Sequence, residues 1–251
     1  WIDIVPGIIG SNPYGFEPTR NINGSTILPV YFSAWNSKYG YELYISNGTI
    51  SGTYMIRDIN PGTSGSNPKY LTWFRNKLYF QADDGRTGRE IWVSEGTYLT
   101  TYQLIDIRKG YPESSPGHFT IMKSLKYSNN LNMDYLYFTA TDGSYCTERS
   151  GSDCYGGTQL WQTDGTKHGT KRVFEKTNND LYFDHNSLDE DYPSRMLTYK
   201  SELYLPGKRG GEYIKGTKVN KHGIISQNSE LREGIDQAFI ILDNDSTNDA
   251  L

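Results

Sequence analysis

One six-residue phrase is written three times in this chain: YFSAWN from Tyr31, YFQADD from Tyr79 and YFTATD from Tyr137. The copies lie roughly fifty residues apart, a period at which one supersecondary unit repeats. Two longer phrases recur with them in strict spacing. DIVPGIIGSNP from Asp3, DINPGTSGSNP from Asp58 and DIRKGYPESSP from Asp106 each run ten residues from Asp to the final Pro. ELYISNGTISGT from Glu42, EIWVSEGTYLTT from Glu90 and QLWQTDGTKHGT from Gln159 each run eleven residues to the last Thr. A chain so written must fold as copies of one unit.

The unit reads as four short strands. In the clearest copy they are YLTWF, KLYFQA, EIWVSE and YQLIDI, with apolar residues alternating between turn residues. Asn76 turns the first pair, DDGRTGR the second and EGTYLT the third. Glycine after Asn, Asp or Glu supplies the positive φ these turns need. The prolines of NPG and SNP cannot continue a central strand, so they mark the passage between units. A lone four-stranded sheet leaves both faces bare, and stacking the sheets around an axis covers them. The spacing therefore predicts an all-β protein, a β-propeller, as a single domain over residues 1–251.

After Val173 the pattern returns in worn form. MLTYKSELYLPG (196–207) matches the first two strands and DQAFIILDND (236–245) the third, but no fourth strand follows. WIDIV at the N-terminus aligns with YQLIDI. The expectation is four blades, with the N-terminal strand closing the last beside residues 236–243; five blades, the extra one within residues 208–235, is the alternative.

Composition agrees with many short strands. Only 35% of residues are hydrophobic, yet there are 21 Tyr and 26 Gly. The net charge of −4 gives no general attraction to nucleic acid or anionic membrane, and no apolar run approaches the roughly 20 residues of a membrane helix. Cys146 and Cys154, with no histidine beside them, read as a local disulfide, which implies an oxidising, extracellular setting. Three sequons point the same way: Asn23, Asn47 and Asn244. Asn23 is the best glycan candidate, because Asn47 stands where other repeats carry Glu95 and Asp164 and where a turn alone accounts for it.

The phrases quoted above resemble the secreted and surface proteins built from tandem ELWxSDGTxxGT-type repeats. Residues 54–101 follow the longer consensus of that class closely; residues 1–53 and 102–173 follow it with insertions. The resemblance implies a propeller-like β architecture in an extracellular protein. It implies no particular enzymatic activity and carries over no catalytic residue.

The insertions are where copies differ, so they are where function is expected. The second turn of the third unit, near residues 144–157, is lengthened and holds both cysteines. The last unit is lengthened within residues 208–235, and its segment KRGGEYIKGTKVNKHG (208–223) carries Lys208, Arg209, Lys215, Lys218 and Lys221 in an otherwise acidic chain. Its YIKGTKV reads as a small hairpin. These five residues form the candidate partner-binding surface, and LDED (188–191) and the tail aspartates offer acidic counterparts on a neighbouring copy. Catalytic motifs are absent from the sequence. Asp83, Asp84 and Asp142 are weak calcium candidates, since ADDG and ATDG lack the alternating acids of a strong calcium loop. The leading expectation is a non-catalytic extracellular module, structural or adhesive, that contacts other proteins or itself. A glycan-binding lectin-type propeller is the alternative, and a secreted hydrolase comes third.

Overall fold

A computed structural model describes residues 3–4, 10–20, 28–122, 134–143 and 159–173, and beyond these the backbone of eight short strands. The described residues are strands, turns and loops. They contain three four-stranded antiparallel sheets of the same order, as the repeat requires. The first sheet is β1 (Tyr14–Pro18), β2 (Val30–Asn36), β3 (Gly40–Ser46) and β4 (Thr53–Arg57). The second is β5 (Lys69–Phe74), β6 (Lys77–Asp83), β7 (Arg89–Ser94) and β8 (Tyr102–Ile105). The third is β9 (Gly117–Met122), β10 (Tyr135–Ala140), β11 (Gln159–Thr163) and β12 (Lys171–Arg172). By compactness the chain divides at Gly117, so residues 1–117 and 118–251 are described separately.

In residues 1–117 the register puts matching residues on matching faces. Phe32 lies opposite Tyr44 and Phe80 opposite Trp92; Ala34 lies opposite Glu42 and Ala82 opposite Glu90. Side chains alternate between faces. The Tyr31, Leu43 and Ile45 face of the first sheet therefore packs with Leu78, Phe80, Ala82 and Trp92 of the second. Burying an aromatic such as Phe80 contributes about 2–3 kcal/mol. Opposite faces of equivalent sheets meet here, an arrangement that a further copy can extend. Ile59, from the connecting phrase, joins this core. Ile4, its equivalent in the preceding copy, packs on Phe32, Ala34 and Tyr44, the corresponding face of the first sheet. The fourth strands bulge at matching places, between the partners of Leu43 and Tyr44 and of Ile91 and Trp92. The residues skipped in the pairing, Ile56 and Leu104, are buried. Asn76 turns β5 into β6 as expected; it and Arg75 both have positive φ, as a two-residue hairpin loop with a matching twist demands.

In residues 118–251 the third sheet repeats the register, with Phe138 opposite Trp161 and Ala140 opposite Gln159. The worn unit is built differently. β14 (Leu197–Tyr199), β15 (Glu202–Pro206) and β20 (Phe239–Asp243) pair as the sequence predicts. The free edge of β20, expected to take the N-terminal residues, is instead held by β18 (Thr217–Asn220), in parallel, and β19 (Ile225–Gln227) pairs outside it. The closing-strand expectation is corrected accordingly: the inserted segment supplies the strand itself, and Ile4 serves as a linker residue. Tyr213–Val219 does not form a hairpin either. β16 (Lys208–Arg209) pairs with β13 (Leu181–Tyr182) on one side and with β17 (Glu212–Tyr213) on the other, in a sheet separate from that of β18.

Candidate functional site

The repeat motif itself has a structural occupation. Ser46 Oγ and Thr53 Oγ1 are 2.7 Å apart, and Thr53 Oγ1 donates to the Thr49 carbonyl at 2.7 Å. The same ladder joins Ser94, Thr101 and Thr97, and again Thr163, Thr170 and Thr166. The glycine amide of each turn donates back to the first hydroxyl, at 3.0–3.1 Å. Asn47 Oδ1 accepts from the Thr49 amide and hydroxyl, and Asp164 Oδ1 does the same from Thr166. Their side chains fill the space where Gly52 and Gly169 would carry a Cβ, which explains the glycine five positions on. The second copy replaces both partners together: Glu95 swings away to an ion pair with Lys77 at 2.7 Å, and Thr100 takes the glycine's place.

A second device ties the third strand of one sheet to the phrase leading out of it. Glu42 is fully buried; its carboxylate accepts from the Asn60 amide, the Ser66 amide and the Ser66 hydroxyl. Glu90 repeats the clasp with the Ile107 amide and with Ser114. The Ala opposite each Glu leaves room for it. Burial pushes each carboxyl up to about 7, against the lowering effect of these donors. In the third sheet Gln159 takes the position, and its Oε1 accepts from the Asp142 amide. The clasp was legible as a recurring Glu and Ser at a separation of 24 residues, a pairing that sequence reasoning missed.

The exposed residues of each turn tip include its two variable positions. Ile50 is 79% exposed, Leu99 88% and Tyr98 59%, and Lys167 and His168 occupy these positions in the third copy. Tyr54, also exposed, donates its hydroxyl to the Gly96 carbonyl, and the Arg57 guanidinium lies 4.9 Å over the Tyr98 ring. An apolar, aromatic rim with a cation beside it is thus presented where the first and second sheets meet.

The calcium candidates are occupied with turns. Asp83 Oδ1 accepts from the Gly85 amide, Asp84 Oδ1 from Arg86 and Thr87, and Asp142 faces Arg172 at 3.5 Å. No group of three or more His, Cys, Asp or Glu suited to a metal occurs among the described residues. Cys146, Cys154, Asn23, Asn244, Lys215 and Lys221 lie outside the described residues. Lys208 and Arg209 lie on β16 and Lys218 on β18, so the basic segment is divided between two sheets. No protein-family model, curated protein or solved structure matches this chain.

Proposed function

We propose that the chain is a non-catalytic extracellular module of a β-propeller, four sheets stacked in one sense about an axis, that assembles with proteins through its turn tips and its basic segment. One observation carries this reading. The shared residues of each repeat are consumed by turn ladders and clasps, while the variable ones, Ile50, Tyr98 and Leu99, stand exposed and apolar. Exposed large apolar groups on rigid turns are the feature that calls for a partner. Lys208, Arg209, Lys215, Lys218 and Lys221 add a basic stretch to an acidic chain, so one copy's segment complements another's acidic surface. Single exposed ion pairs contribute only about 0–1 kcal/mol, and the contact therefore weakens as salt screens it. Sedimentation velocity at low and high salt tests this reading: changing the five basic residues to Glu abolishes association with the fold intact, whereas unchanged association rules the basic segment out.

A lectin-type reading is favoured by one feature, the exposed rings of Tyr54 and Tyr98 with the Arg57 guanidinium against the latter, which offer aromatic faces and a cation to an acidic sugar. A glycan array on wild-type protein and on Arg57→Ala separates it from protein assembly.

A further inference from the structure

We propose that Asn47 is a self-modification site, at which the native turn promotes conversion of the side-chain amide to a carboxylate. The sequence Asn47-Gly48 places the least hindered of all residues after an asparagine, and nothing lies within 4 Å of the position a Gly48 Cβ would take. Three further features of this turn bear on the chemistry. The Asn47 Oδ1 accepts two hydrogen bonds, from the Thr49 amide at 3.1 Å and the Thr49 hydroxyl at 2.7 Å. The Gly48 amide donates to Ser46 Oγ at 3.1 Å, and Ser46 in turn lies 2.7 Å from Thr53 Oγ1. Finally, Asp164 occupies the same place in the third copy with the same two bonds to Thr166, so an aspartate already fits this cradle.

The reaction needs only solvent water. The Gly48 nitrogen attacks Cγ of Asn47, its proton leaving by way of solvent, and the electron pair of the C=O moves onto Oδ1. The two donors of Thr49 stabilise that oxyanion, as donors aimed at developing negative charge do. Collapse expels Nδ2 as ammonia and leaves a five-membered succinimide. Water then opens the ring at the side-chain carbonyl to give aspartate, or at the main-chain carbonyl to give isoaspartate. The net change is one water consumed and one ammonia released. The residue gains a negative charge at a rim otherwise apolar, and the first copy acquires the acid that the third already carries. A glycan on Asn47 blocks the step by holding Nδ2, so the two fates of this residue exclude each other. The conversion does not depend on the assembly reading.

The full chain, made in a host without N-glycosylation, is incubated at neutral pH, and the tryptic peptide Tyr39–Arg57 is followed by mass spectrometry; Asn47 is its one amide side chain. The reference is the same chain held unfolded in guanidinium chloride. Conversion is expected severalfold faster in the native protein. Thr49→Val, which removes the hydroxyl donor and keeps the amide, is expected to slow conversion severalfold toward the unfolded rate, while Thr49→Ser, which keeps the hydroxyl, retains the native rate. Native conversion equal to or slower than the unfolded rate overturns the proposal. Should Thr49→Val fail to fold, judged by circular dichroism, the native-to-unfolded comparison and Thr49→Ser decide it.

Discussion

Among the described residues, Glu42 and Glu90 are the buried carboxyls through which this fold responds to pH. Each is raised from the ordinary carboxylate range to about 7 by burial. An acid raised on folding takes up a proton in the folded state, so its contribution to stability is fully present below the unfolded value of about 4.5 and is lost as pH rises through about 7. The melting temperature is therefore predicted to decline across that window, each clasp contributing on the order of 1–3 kcal/mol. Glu90→Gln places at this position the amide that the third sheet already carries at Gln159, and it should fold and show a flatter decline. Glu90→Ala leaves two amides and a hydroxyl without their acceptor and should cost about 2–4 kcal/mol. A pH profile identical for wild type and Glu90→Gln would remove the carboxyl as its source.

At the scale of the element, the turn after the third strand is a unit with two solutions. Asn47 with Gly52 is one and Glu95 with Thr100 the other. Gly52→Thr alone should cost about 1–3 kcal/mol, because a Cβ there displaces the Asn47 side chain from its two bonds. Adding Asn47→Glu should recover much of that loss in a double-mutant cycle measured by denaturant unfolding, and strictly additive losses would contradict the coupling. The strands β5 to β8 were legible from sequence because alternation, turn residues and repeat spacing all agree on them. β18 was not: a parallel pairing depends on a distant edge at β20 that no local pattern encodes. Tyr213–Val219 misled for a related reason, since β17 pairs with β16 and β18 with β20, in different sheets. Of the candidate surface, the basic residues were read from charge alone, whereas the exposure of Ile50, Tyr98 and Leu99 followed only from seeing which turn positions the ladders consume.

At the scale of the whole molecule, the repeat divides into residues that build the turns and clasps and residues that the proposed assembly would use. Equivalent sheets meet by unlike faces, Tyr31 and Leu43 of the first against Phe80 and Trp92 of the second, and this same-sense stacking is what supports the propeller reading. The proposed assembly predicts a definite footprint. Hydrogen-exchange mass spectrometry, comparing dilute with concentrated or partner-bound protein, reads that footprint along the chain. Added protection is predicted at residues 47–52, 95–100 and 208–221, with β2, β3, β6 and β7 unchanged. Protection absent from all three segments, or confined to those strands, would contradict the claim that the turn tips and the basic segment are the working surface.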